Sequence, residues 1–245
     1  MSERRVRRPQ RAAPVRARRA RVERKTRETD IRLVLDLDGS GRATVATGIG
    51  FFDHMLTALA KHGHFDLEVR CKGDLHVDAH HSVEDVGIAF GQALREALGD
   101  KRGIVRFGHA YVPLDEALSR CVIDLSGRPW LHFGVEFKAR QIGTMPTELF
   151  EDFFWAVADH GRLNIHLDTI RGRNGHHIAE TLFKSTARAL SMAVAPRPAR
   201  EGRPQHEGFA MRSVFRSGGF PLPPSSDSLR ARRLMTSGRS EGRQR

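Results

Sequence analysis

Between residues 50 and 195 the apolar positions repeatedly change period, from about 3.6 residues to two and back. The stretch FFDHMLTALAKHG (51–63) sets Phe52, Met55, Leu56 and Leu59 on one helical face, and the pattern ends that helix with Gly63 as its C′ residue. In HFDLEVRCKG (64–73), Phe65, Leu67, Val69 and Cys71 alternate as on a half-buried strand. ELFEDFFWAVADHG (148–161) and the alternation of Leu163, Ile165 and Leu167 repeat that order. Two further helices are predicted, HHSVEDVGIAFGQAL from His80 and HHIAETLFKSTARAL from His176. DIRLVLDLDGSGRATVATG reads as a hairpin across Asp38 to Gly41, and RCVIDLSGRPWLHFGVEF as two strands turning at Ser126 to Pro129.

These segments are two copies of one pattern. His-His-x-x-Glu recurs 96 residues apart, at His80, His81, Glu84 and at His176, His177, Glu180, and both helices close on Ala-Leu at the same offset. Upstream, ALAKHGHFDLEV (58–69) matches AVADHGRLNIHL (156–167) at an offset of 98, which requires a two-residue indel. The predicted class is α+β: two similar halves, residues 21–110 and 111–196, each a helix pair packed on a mainly antiparallel sheet.

The formal net charge of +12 would suggest a nucleic-acid or membrane partner, but its distribution removes that reading. Residues 1–25 hold 11 basic and 2 acidic groups, and residues 197–245 hold 11 and 4; residues 26–196 hold 19 basic against 23 acidic. A nucleic-acid binder would carry its basic residues on the folded part, so no nucleic acid is expected as partner. Residues 1–20 and 197–245 are rich in Arg, Pro, Ser and Gly without apolar periodicity, and both are expected to be disordered. No apolar run is long enough to span a bilayer, and the first twenty residues have no apolar core of a secretory signal. They share an Arg-rich, acid-poor composition with transit peptides but are poor in hydroxyl residues, so a cytoplasmic location is expected. Cys71 and Cys121 are too few to staple the chain and read as reduced thiols.

On a helix, residues four apart share a face, which brings His80 to Glu84 and His176 to Glu180. His81 and His177 then point about 100° away, so each adjacent pair suits two ions on two sides of the helix rather than one. Imidazole with carboxylate suits Mn, Fe, Zn or Ni, and mixed N/O sites of six ligands lean toward Mn or Fe. The 98-residue offset sets His54 opposite Asp152, one further ligand per half. LDLDGSG (35–41) imitates the start of a haloacid-dehalogenase phosphatase, but a strand pattern follows it where that motif needs a helix.

TGIGFFDHML, GDLHVDAHHSVEDVGIAFGQAL, RFGHAYVPLDEAL, DLSGRP and GRNGHHIAETLFKSTARAL together resemble the imidazoleglycerol-phosphate dehydratase family, in order from about Arg21 to Pro196. The resemblance implies a duplicated unit with helices sandwiched between two mainly antiparallel sheets. It implies a hydro-lyase of L-histidine biosynthesis that converts imidazole glycerol phosphate to imidazole acetol phosphate through an imidazolate bound by two manganese ions. It further implies a homo-oligomer of twenty-four chains with active sites at subunit interfaces. The positions matching the family's metal ligands are His54, His80, His81, Glu84, Asp152, His176, His177 and Glu180. Asp152 stands where histidine is common. Glu28 matches the proton-transfer glutamate, and Arg106, Arg128 and Lys184 match phosphate-holding positions. The substrate-binding set then comprises Glu28, His54, His62, His80, Glu84, Arg106, Arg128, His176 and Lys184. A metal-storage shell would need the His and Glu sets but not Glu28, Arg106, Arg128 and Lys184.

The chain departs from the family after Pro196. Members usually continue with a segment like DPR-x-K-G-x-P-S-T-K-G that helps bind the substrate phosphate. A coding sequence for Arg197 to Arg212, read from its second base, can give DPRVKGVPSTKGSL and a stop. Residues 197–245 are therefore expected to be frameshift read-through, with phosphate binding impaired.

Overall fold

A computed structural model describes residues 17–197. The first half runs β1 (Arg19–Lys25), β2 (Thr29–Asp36), β3 (Ala43–Ala46), α1 (Gly50–Gly63), β4 (Asp66–Gly73) and α2 (His80–Leu98). The second runs β5 (Phe107–Leu114), β6 (Ala117–Asp124), β7 (Trp130–Gly134), the short ribbon β8 (Gln141–Ile142) and β9 (Met145–Pro146), α3 (Leu149–Gly161), β10 (Asn164–Arg171) and α4 (Gly175–Val194). β1 begins two residues before the expected boundary at 21. The second half opens at Phe107 rather than 111, because β5 pairs with β6 along its whole length.

The two four-stranded sheets have the same order, β1-β2-β4-β3 and β5-β6-β10-β7. In each, the last strand pairs in parallel with its neighbour and the other pairs are antiparallel. This corrects two expectations. β2 and β3 do not form a hairpin across Asp38 to Gly41, nor do β6 and β7 across Ser126 to Pro129: β4 and β10 lie between them. The physical reason is the helix that follows each third strand. A parallel return through a helix keeps that helix on one face of the sheet, and the slot beside β2 or β6 goes to the returning strand. Within the two large sheets, the hairpins are β1–β2 and β5–β6.

Four helices fill the space between the sheets. Ile31, Leu33, Leu35, Leu67 and Val69 face inward from the first sheet, and Cys121, Ile123, Ile165 and Leu167 from the second; all are buried. Phe52, Phe150, Phe153, Phe154 and Phe183 close the centre of the layer, with Phe153 stacked on Phe183 at 5.4 Å between centroids. Cys71 and Cys121 are buried, unpaired thiols, and burial pushes them up to about 11 and about 12.

α1 and α3 end alike, but not as the pattern predicts. The left-handed residue is His64 (φ 59°) or Arg162 (φ 53°), one position after the glycine, and the His64 N–H caps Ala60 O. Gly63 and Gly161 answer a different need. A Cβ there would lie 2.4 Å from the Phe65 ring or 2.5 Å from Leu163 Cδ2, so the glycine makes room for the apolar residue just ahead of the next strand.

Candidate metal centre on two helix seams

α1 packs along α4 and α3 along α2, and the candidate ligands sit on these two seams. α2 and α4 start in the same way. Asp78 Oδ1 accepts from the His80 N–H (2.8 Å) and Asn174 Oδ1 accepts from the His176 N–H (2.9 Å). A short polar side chain two residues ahead thus fixes each His-His pair in the first helical turn.

On the α1–α4 seam, donor atoms of His54, His176 and Glu180 all lie within 4.8 Å of one another. Glu180 Oε2 is 3.1 Å from His176 Nε2 and 3.5 Å from His54 Nε2, while Oε1 accepts from Lys184 Nζ at 2.6 Å. Burial opposes ionisation of Glu180, but Lys184 and His54 outweigh it and hold the carboxyl below its usual range. Phe51 stands edge-on to His176, 5.0 Å between centroids.

The α2–α3 seam carries the same repeat positions with one exchange, but among the described residues only the α1–α4 set brings three donor atoms within 4.8 Å of one another. His80 reaches Glu84 through Nε2 (3.7 Å) and Asp152 through Nδ1 (3.5 Å), so one imidazole lies between two carboxylates. Glu84 is the repeat of Glu180, and Asp152 of His54.

The second histidine of each pair turns the other way, as the helical geometry requires. His81 Nδ1 bonds the Asp74 carboxylate (3.0 Å) and His177 Nδ1 bonds Glu116 Oε2 (2.8 Å). Each carboxylate raises its histidine and fixes the ring's direction. Glu116 is itself held, by His177 first and then by the backbone N–H groups of Asn174 and Arg173, which depress it to about 2. Asp74 and Glu116 are absent from the sequence-based set. Asp74 lies seven residues before His81, and Glu116 lies 61 residues from His177, brought there by the β5–β6 turn.

Glu28 is exposed in the β1–β2 turn; its carbonyl accepts from the Asp74 N–H (3.1 Å), and its charge adds to the rise of His81. A buried polar contact fixes this turn against α2: Asp85 pairs with Arg24 (2.7 Å) and accepts from Thr29 Oγ1 (2.5 Å). The three phosphate candidates belong to different elements. Arg106 pairs with Asp124 (2.7 Å), Lys184 with Glu180, and Arg128 is exposed in the loop after β6. His62, in the last turn of α1, is half-buried, and burial followed by Lys184 lowers it. Among the other described histidines, His132 bonds Asp168 (3.1 Å).

Two depressions, of about 630 and 740 Å³, are lined around Phe133 and Arg173, and around Gln92 and Arg162. His54 and His80 are 49% and 44% exposed at the side chain.

The profile of the family described as imidazoleglycerol-phosphate dehydratase matches residues 47–190. The imidazoleglycerol-phosphate dehydratase of Gluconobacter oxydans is 62% identical over 186 residues, covering 76% of this chain and 94% of the relative. That of Acidithiobacillus ferrooxidans is 58% identical over 185 residues, 76% of this chain and 93% of the relative. The crystal structure of the Staphylococcus aureus enzyme superposes with a TM-score of 0.67 at 39% identity, covering 73% of this chain and 99% of that one.

Proposed function

The chain belongs to the imidazoleglycerol-phosphate dehydratase family, enzymes of histidine biosynthesis, and from that membership we propose that it holds two manganese ions and dehydrates imidazole glycerol phosphate to imidazole acetol phosphate. The observation that carries the metal reading is the repetition of a His and carboxylate set on both seams, at positions related by the internal duplication. Such nitrogen and oxygen donors fit a borderline to hard dication.

His54, His176 and Glu180 would hold one ion, and His80, Glu84 and Asp152 the other. When bound, the ions supply Lewis acidity to the imidazole ring of the substrate. Glu28 moves the proton at the side-chain carbon that loses it, from a turn fixed beside His81. Arg106, Arg128 and Lys184 hold the phosphate, with His62 beside Lys184, and Arg106 and Lys184 share their charge with Asp124 and Glu180. The exposure of His54 and His80, and the outward direction of His81 and His177, support a homo-oligomer in which neighbouring chains complete each site; the number of twenty-four copies rests on the family membership alone. Among the described residues no helix is long and apolar enough to cross a membrane; a cytoplasmic location is part of the same proposal.

Reconstituted protein should carry about two manganese ions per chain. Absence of any bound transition metal after reconstitution would end the metal reading. Glu28→Gln should lower kcat about 100-fold or more while metal content persists; unchanged turnover would assign the proton to another group. The departure after Pro196 lies almost wholly outside the described residues. If it is frameshift read-through, restoring the frame should lower KM for the phosphorylated substrate.

A further inference from the structure

The duplication allows the two metal sets to be compared atom for atom, and they are not the same. At the offset of 98, Asp152 replaces His54; at the offset of 96, Ile88 replaces Lys184. The α1–α4 set therefore has two imidazoles and one carboxylate, and that carboxylate also holds an ammonium group at 2.6 Å. The α2–α3 set has one imidazole and two carboxylates, both within 3.7 Å of the ring between them, and an apolar residue where the ammonium would be. Counting Glu84 and Asp152 against Glu180 and Lys184, the formal charge at neutral pH is −2 on one seam and zero on the other, with neutral imidazoles.

We propose that the two sites are unequal: the α2–α3 site binds Mn2+ more tightly, the α1–α4 site favours nitrogen-seeking ions such as Ni2+, and Asp152 sets the difference. This rests on the metal reading above. Two physical effects act in the same direction. A dication gains more from two carboxylates than from one, and on the other seam Lys184 both repels the ion and occupies one Glu180 oxygen. Manganese prefers oxygen donors, whereas nickel gains most from imidazole, so an exchange of Asp for His changes selectivity as well as strength. The outward histidines do not cancel the inequality, because His81 and His177 are repeats of each other with the same donor atom to offer.

The test reads metal affinity and needs no turnover. Calorimetric titration of metal-free protein with MnCl2 should resolve two classes of one ion each, with dissociation constants about tenfold or more apart. Nickel added to the manganese-loaded protein should displace the two ions in separate steps. Glu84→Gln should abolish the tighter manganese class and Glu180→Gln the weaker, and Asp152→His should bring the two classes together. Two equal manganese classes in the unaltered protein, single-step displacement by nickel, or loss of the tighter class in Glu180→Gln would each overturn the inference. The displacement experiment uses no substitution and so stands even where a variant fails to fold. Failure to bind manganese at all would instead overturn the metal reading beneath it.

Discussion

The α2–α3 seam is closed by glycine, and the centre beside α4 is filled by phenylalanine at the same repeat position. A Cβ on Gly87 would lie 2.8 Å from Phe153 O, and one on Gly91 2.7 Å from Gly161 N, so α2 meets α3 backbone to backbone. At the offset of 96, α4 has Phe183 and Ala187 there, and Phe183 fills the layer by stacking on Phe153. The same divergence runs through the polar contacts. Asp85 takes a charged partner, Arg24, in the first half; its repeat, Thr181, meets Ser119 through hydroxyls at 2.7 Å. What has stayed alike is the start of α2 and of α4, with an Asp or Asn oxygen on the first histidine's N–H, a His-His pair, a glutamate at the fourth position after the first histidine, and a carboxylate behind the second. Interior packing can change wherever volume and hydrogen bonding are satisfied. Ligand geometry tolerates much less.

The largest test of this contrast is Phe183→Ala. It should cost about 3–5 kcal/mol by leaving a cavity among Phe150, Phe153 and Phe154, measured by denaturant unfolding; a loss under 1 kcal/mol would mean the layer collapses to fill the space. Gly87→Ala should cost about 1–3 kcal/mol through overpacking against Phe153 O, partly offset by about 1 kcal/mol of helix propensity. Its effect on metal should be local, weakening the ion held by His80, Glu84 and Asp152 before the one held by Glu180. Equal weakening at both seams would show that they are mechanically coupled.

The smallest effect is in acid. Glu116 is depressed to about 2 by its bond to His177 and by two backbone donors. A carboxyl depressed in the folded state adds stability above its unfolded pKa, near 4.5, and loses it as pH falls toward 2. Glu116→Gln should therefore lower Tm near neutrality and lose less with acid than the unaltered protein does. Parallel Tm curves from pH 5 to 2.5 would remove this role for Glu116.

Much of the molecule is written in local pattern. Periods of about 3.6 and two marked α1 to α4 and strands such as β4 and β10, because burial on one face of an element constrains residues close in sequence. The repeated His-His-x-x-Glu named the metal candidates for the same reason, since a helix alone brings His176 to Glu180 (3.1 Å). Strand pairing was not legible. β3 alternates equally well beside β2 or β4, and the parallel return through α1 decides between them. α1 and α3 end at the expected glycines, but the left-handed residue that follows each escaped the pattern, because Gly63 answers the Phe65 ring rather than its own backbone.

The sequence by itself determined the class, the duplication, the family and most of the candidate ligand types, all of which depend on neighbours a few residues apart or on copies at a constant offset. Tertiary structure decided which donors meet. It joined His54 to His176 and Glu180, gave Asp152 to His80, and set Glu116 behind His177 across 61 residues. The reason is that these contacts cross the seams between helices and the ends of strands. Their distances follow from how whole elements pack, and no local period records that.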